Sequence, residues 1–515
     1  MTSFSRRQFI CSGVASLGLL TMNPFEVVFA EGKKILRSRL EEDFQILDPA
    51  FMLGGDEQAA LYVLFPKLAE LDFSQGTVAW RPSEYVNSLR YLDDKHIEFE
   101  LKSGFQWTGG YGELTAEDVK YSFERMKNSD YEAQWKSLNR VDITGRYSGT
   151  IVLDYAYGPL VLESLSMGVG CIVCKQAVEQ LPEKKFELSI PASCGPYVLS
   201  THVIKQKAIF TRNPDWAGKK PYFDEIQCIV VEDSNSAELA FEADELDITR
   251  VDSKKIPFYQ KSSSGVQLTI AGHLNHGWMG MNTQHPKLSN ADVRKAIQCG
   301  IDVERILKVV YKGVTERAYG IIPPGIIGRR TSCGYKYDPK ESKSLLKKAG
   351  VDQLALDLVV LNSNREMLLT AQMIQSDMKA LGISIKILPL DPGPYWELGD
   401  ESAGDAWKNS QLWLMNFGGT VDPSGYFQWF VKDQIGKWNW ERWSSEEFDK
   451  LYAQGASEAD ADKRGDIYIR MQEIMEDTGA YVWLNHEPEA FIYNSSIQPA
   501  IDVEGVYIFA STHKS

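Results

Sequence analysis

The segment 354–388 places the strongest constraint on the fold. "LALDLVVL" sets Leu354, Leu356 and Leu358 on one face of an extended chain. Met367, Ile374, Met378 and Leu381 then follow helical spacing up to Gly382, and "ISIKIL" alternates again through Ile383, Ile385 and Ile387. A period of two is the signature of a strand and a period near 3.6 that of a helix. Strand, helix and strand in that order form a right-handed crossover with parallel strands. The spacing predicts an α/β chain, mixed with α+β parts.

Four helix starts are marked elsewhere. Thr115 stands as an N-cap with Asp118 three residues on, and Asn290 opens a second helix. Asp338, Pro339 and Glu341 open a third that Gly350 terminates; Ser444 and Glu447 open a fourth with Gly455 as its stop. A chain of 515 residues exceeds one ordinary core, so two or more lobes are expected. A net charge of −15 argues against nucleic acid or an anionic membrane as partner. Tryptophans are dense from Trp396 to Trp483; packing accounts for most of them and leaves two or three for a ligand cleft.

The N-terminus reads as an export signal. "SRRQFI" pairs Arg6 and Arg7 ahead of an apolar run from Gly13 to Met22, and "VFA" at 28–30 supplies a small-residue cleavage site. The paired arginines resemble a twin-arginine signal. The run is too short to span a membrane, and Cys11 precedes it instead of ending it, unlike a lipid-attachment cysteine. Cleavage after Ala30 and a periplasmic mature chain are expected. In that oxidising space Cys171, Cys174, Cys194, Cys228, Cys299 and Cys333 remain, with no pairing legible from their spacing. "CIVC" lacks a redox or zinc context, which leaves a local disulfide or two buried thiols.

No catalytic motif is present: no nucleophile elbow, phosphate loop, zinc-protease helix or dinucleotide fingerprint. His273 and His276 fall on opposite faces of a strand, so no shared metal is expected. The chain reads as a binding protein without cofactor or metal; an exported hydrolase is the alternative of another class.

Several motifs then fall in one order. They are "LDPA" at 47–50, "HIEFELKSGFQWTGG" followed by "LTAEDVKYSFERM", "SCGPYVL" at 193–199 and "TRNPDWAGKKPYFDEI" at 211–226. "NADVRKAIQCGID" at 290–302, "KYDPKESKSLLKKAG" at 336–350 and "WNWERWSSEEFDKL" at 438–451 complete the series. Together they resemble the family 5 extracellular solute-binding proteins, the peptide and nickel binders of ABC importers. The resemblance implies a two-lobe periplasmic-binding-protein fold of the large peptide-binder type, with an extra subdomain in lobe one. Lobe one would comprise 31–270 plus 487–515 and lobe two 271–486, crossing near "HLNHGWMGMN" and "YVWLNHEPEA". It also implies a monomer that closes on a peptide or peptide-like solute and hands it to a membrane permease, or a sensor that hands its liganded form to a receptor.

The same resemblance makes the stretch "MNFGGTVDPSGYFQW" informative. Peptide-binding members place an aspartate three residues before an Asp-Pro or Glu-Pro pair, where it grips the peptide's ammonium. Here the pair is Asp422-Pro423, and the position three residues back is Gly419. The clamping acid is absent, so a free ammonium is bound poorly unless another acid replaces it. Asp422 itself either faces the ligand or caps the following turn. Arg365 stands near where dipeptide binders hold a carboxylate, or simply opens the next helix. Phe417, Trp278, Trp438 and Trp440 are the candidate aromatic contacts. A non-peptide solute, such as an opine-like conjugate, a sugar phosphate or an oligosaccharide, is the alternative ligand class.

Overall fold

The computed structural model describes residues 33–261, 265–458 and 460–515, apart from the side chain of His273. The expected export signal, with Arg6, Arg7 and Ala30, lies outside the described residues, as does the side-chain direction of His273.

An eleven-stranded sheet organises the described chain. Its main path uses β1 (Ile35–Leu40), β2 (Tyr197–Val203), β3 (Lys207–Arg212), β4 (Glu225–Val230), β5 (Ile248–Val251), β6 (Val266–Met281), β7 (Leu354–Leu361), β8 (Ile383–Leu390), β9 (Leu412–Phe417) and β10 (Tyr481–Asn494). Their order across the sheet is β2-β3-β4-β1-β5-β10-β6-β9-β7-β8, and a short strand at Glu316–Arg317 pairs with β10. The two long strands β6 and β10 lie antiparallel at its centre. One half of the sheet joins through β5, which pairs with residues 490–493 of β10. The other joins through β9, which pairs with residues 276–281 of β6. Among the described residues the two half-sheets are thus linked through the β6–β10 strand pair. A separate four-stranded antiparallel sheet (Val86–Tyr91, His96–Leu101, Leu138–Ile143, Ser148–Leu153) stands outside this path.

Seven helices position the parts used below: α1 (Gly55–Leu64), α2 (Ala116–Glu124), α3 (Ala291–Gly300), α4 (Pro339–Lys348), α5 (Arg365–Lys379), α6 (Glu446–Ser457) and α7 (Ala461–Asp477). The β7–α5–β8 unit is the expected crossover. Its strands pair in parallel from Leu354↔Ile383 to Leu361↔Leu390. Leu356, Leu358, Ile383 and Ile385 share a core with Met367, Ile374 and Met378 of α5. Each such aliphatic side chain contributes roughly 1.5–3 kcal/mol by leaving water. The caps of three helices match their sequence signals. Asp118 Oδ2 accepts from Thr115 N at 2.9 Å, Asn290 Oδ1 from Asp292 N at 2.9 Å, and Asp338 Oδ1 from Lys340 N at 3.0 Å.

The fourth helix differs. Ser445, not Ser444, caps α6, its hydroxyl accepting from Phe448 N at 3.3 Å. Gly455 does not stop the helix but lies inside it. A Cβ there would come within 2.9 Å of the Tyr468 ring, so the glycine admits the close approach of α7. The six cysteines are unpaired thiols, with Cys171, Cys174, Cys194 and Cys228 buried. "CIVC" is therefore a pair of buried thiols; burial pushes Cys171 up to about 12 and Cys174 up to about 11.

Candidate ligand-binding site

The register of the central strand pair shifts twice, between Ala271 and Asn275 and between Gly277 and Trp278, and the first shift is the wider. β6 and β10 pair up to Ala271↔Glu489 and resume at Asn275↔Glu487. Residues 272–274 of β6 thus bulge opposite Pro488, which has no N–H to offer a ladder. Gly272 takes φ 72°, and a Cβ on it would lie 2.7 Å from the carbonyl oxygen of Val503. Only glycine lets the C-terminal segment approach the bulge this closely.

A cavity of about 370 Å³ opens at this bulge. Gly272, Leu274 and Asn275 line it from β6, and Gly418–Val421 from the loop after β9. Opposite them stand Gln58 of α1, Gln134, Glu163 and the C-terminal residues Val503, Glu504 and Val506, with Glu489 of β10. Residues from both half-sheets therefore meet in one cavity.

Three of the lining groups are carboxylates. Glu163 Oε1 accepts from Thr420 Oγ1 at 2.7 Å. Glu504 Oε2 accepts from Gln58 Nε2 at 3.0 Å. Glu489 pairs with Arg250 at 3.1 Å. Burial is the largest influence on each and favours the neutral acid. Glu163 is pushed up to about 8, with the Asp422 charge adding to burial. Glu504 is likewise pushed up to about 8, with Asp502 adding to burial. Glu489 is also raised by burial, against the pull of Arg250.

Two neighbouring cavities share this wall. One, about 390 Å³, also meets Gly54, Glu489 and Glu504, and adds Glu41, Glu42, Asp56, Glu57 and Arg250. The other, about 260 Å³, shares Asn275 and Glu489 and reaches Lys254, Tyr311, Glu366 and Glu487.

The structure distributes the sequence candidates unevenly. Gly419 lines the main cavity, but the volume beside its Cα is filled: a Cβ would overlap the Tyr426 ring. The room a side chain vacates there is taken by the protein, not left for a bulkier solute. The open glycine is its neighbour Gly418, where a Cβ would meet nothing nearer than Asn275 Oδ1 at 3.6 Å. Asp422 is fully buried and outside the lining. Arg464 of α7 binds it with both guanidinium ends, at 2.6 and 2.8 Å, and Ser424 donates to it from N and Oγ at 2.9 and 2.6 Å. It caps the turn and anchors α7, and its oxygens are spent within the protein.

Trp278 and Trp440 are likewise corrected from cleft walls to core, being only 5% and 3% exposed. His276 stacks on Trp278 at 5.2 Å, and Trp278 Nε1 donates to buried Glu441 at 2.9 Å. Trp440 packs edge-on against Trp413 and Tyr395. Trp438 is 40% exposed, flanked by Trp429 at 5.6 Å, Phe417 at 6.1 Å and Trp396 at 6.4 Å. This aromatic group begins one residue before Gly418, and Trp396 and Trp438 wall a separate pocket of about 470 Å³. Arg365 is exposed at the first turn of α5, outside all these linings, while its neighbour Glu366 lines the third cavity.

Sequence reading missed Glu163, Glu489 and Glu504, which stand far apart in the chain. The one local signal was Pro488 in an otherwise strand-like run, which marks a bulge.

An α/β sheet in two halves, with a cavity carrying carboxylates where they meet, is the architecture of a solute-binding protein. The profile of the bacterial extracellular solute-binding proteins, family 5, matches residues 91–438, and the chain belongs to that family. The dipeptide-binding protein of Escherichia coli K12 is 24% identical over 471 residues, covering 85% of this chain and 86% of that protein. Among solved structures, the substrate-binding protein CtaP of an ABC transporter from Listeria monocytogenes superposes with TM-score 0.80 at 18% identity, covering 94% of this chain and 99% of that one. The periplasmic binding protein DppA from Helicobacter pylori, in complex with the peptide STSA, gives TM-score 0.69 at 22% identity, covering 94% and 98%.

Proposed function

We propose that this chain is the periplasmic substrate-binding component of an ABC importer and captures a short peptide in the cavity at the β6 bulge. The observation that carries this reading is the placement of that cavity. It sits where β6 and β10 pass between the two half-sheets, and residues from both halves line it. A solute held there touches both halves at once and stabilises whichever arrangement brings them together. The crossings near 271–275 and 485–489 then serve as the hinge, with lobe one as 31–270 plus 487–515 and lobe two as 271–486. Relatives named for dipeptide binding and a structural neighbour holding a peptide support peptides over sugars or conjugates. The membrane permease reads the closed form, and the export signal at 1–30 delivers the chain to the periplasm.

Arg365 belongs to this reading as a group for the far end of the ligand. It is exposed beside the third cavity, and its charge is felt by Lys254 in that wall. Closure of the halves brings it toward a peptide carboxylate.

The test is calorimetric titration of the mature protein with short peptides, followed by mass analysis of the recovered ligand. Binding with unchanged peptide mass supports a carrier. Peptide cleaved by the purified protein shows a hydrolase, and binding of sugars without peptides shows a different cargo.

A further inference from the structure

The cavity is short of positive charge. Around it and the adjoining pocket stand Glu41, Glu42, Asp56, Glu57, Glu163, Glu489 and Glu504, against Arg250 alone. Arg250 is engaged with Glu489 at 3.1 Å and Glu41 at 3.6 Å. Asp56 and Glu57 are turned to backbone N–H groups of Glu41 and Gln45. Among the described residues, Thr420 is the hydrogen-bond donor to Glu163 and Gln58 the donor to Glu504.

A second observation is independent of these charges. One buried side-chain atom of the cavity lining, Gln134 Oε1, has no hydrogen bond among the described residues. It is an acceptor, so it asks for a donor, and a buried acceptor left unpaired is costly. Among the described residues no group of three or more acids, histidines or cysteines is arranged to hold a metal ion, which points to an organic donor.

We propose that the cavity selects a peptide whose first residue is basic, and that Glu163 and Glu504 hold its two cationic groups in place of the acid absent at Gly419. This inference rests on reading the cavity as the peptide site. A ligand with an N-terminal ammonium and a basic side chain brings two positive charges for two carboxylates and an N–H donor for Gln134 Oε1. A neutral dipeptide brings one charge and leaves the second acid with nothing to bind.

Binding is then linked to proton release. Burial and the neighbouring carboxylates raise both carboxyls, and a bound cation favours their ionised form, so affinity rises with pH through their raised titration range. The groups facing Glu163 are Asp422, Arg464 and Glu504, with Thr420, Tyr157, Tyr426 and Tyr452 beside it. Those facing Glu504 are Asp502, Glu489, Lys67 and Gln58. Arg464 is held by Asp422, and Lys67 donates to Ser166 O at 2.7 Å, so neither supplies the missing contact.

The experiment is calorimetric titration of the mature protein with lysyl-alanine, alanyl-alanine and the dication cadaverine, in buffers of different ionisation enthalpy. Lysyl-alanine is expected to bind at least on the order of tenfold more tightly than alanyl-alanine, with proton release at pH 7. Glu163→Gln and Glu504→Gln are expected each to erase most of that preference. Glutamine reproduces the neutral acid, so both variants keep the parent's thermal stability, checked by circular dichroism. Equal affinity for the two peptides, or variants that retain the full preference, overturns the inference and leaves the carrier function standing. Binding of cadaverine without either peptide upholds the cationic site and overturns the peptide reading. Binding of none of the three overturns both.

Discussion

Asp422 offers the sharpest separation between a ligand contact and a structural anchor. In Asp422→Asn one carboxylate oxygen becomes an NH₂ group facing an Arg464 N–H that now sits at 2.6 or 2.8 Å. Arg464 is itself 4% exposed and keeps only Gly455 O at 2.7 Å and Tyr468 Oη at 3.2 Å. Removing one partner of a buried ion pair costs about 3–5 kcal/mol, because the other charge stays buried without compensation. The isosteric amide retains one acceptor for Arg464 or Ser424, which places the loss near the lower end, about 3 kcal/mol. Equilibrium urea unfolding followed by tryptophan fluorescence reads this as a lower midpoint at unchanged slope. Replacing both partners, Asp422→Leu with Arg464→Met, is expected to recover much of the loss, since no charge is then stranded. A variant that unfolds at the parent's urea concentration but loses peptide affinity refutes this account and makes Asp422 a ligand contact.

Gly455→Ala substitutes a better helix former inside α6, yet its Cβ would meet the Tyr468 ring at 2.9 Å; a destabilisation of about 1–3 kcal/mol by urea unfolding is expected, where a simple helix stop would show little change. Arg365→Ala removes an exposed side chain, so stability should hold while peptide affinity falls roughly tenfold or more; unchanged affinity in the same titration would leave Arg365 as a helix-opening residue only. Glu441 is 1% exposed and burial pushes it up to about 7, above its ordinary 4.5. Its raised value stabilises the fold fully below about pH 4.5, and that contribution fades as pH rises through 7, by a few kcal/mol. Glu441→Gln should flatten this part of the stability–pH curve, and a curve of unchanged slope would show that Glu441 does not titrate there.

What the sequence determined by itself is whatever local geometry encodes. Alternation at 354–360 and 383–387 with a helical period between them specified β7, α5 and β8, because a strand or helix buries one face at a spacing its own backbone sets. The caps at Thr115, Asn290 and Asp338 were legible because a cap bonds within three residues of itself. The family motifs and the glycine in place of an acid at 419 were legible for the same reason. The tertiary structure decided which side chain fills the space beside each of these. Asp422 carried the same sequence signal whether it met a ligand or Arg464, 42 residues further on. Trp278 and Trp440 were as aromatic as Trp438, and only packing separated two core rings from one exposed ring. Gly455 had the spacing of a helix stop until Tyr468 from another helix needed its missing side chain. Glu163, Glu489 and Glu504 have no common spacing; they face one cavity because the β6 bulge and the C-terminal segment are brought together by the fold. Periodicity reports how a residue is oriented on its own element, and a binding site is made of what other elements place opposite it.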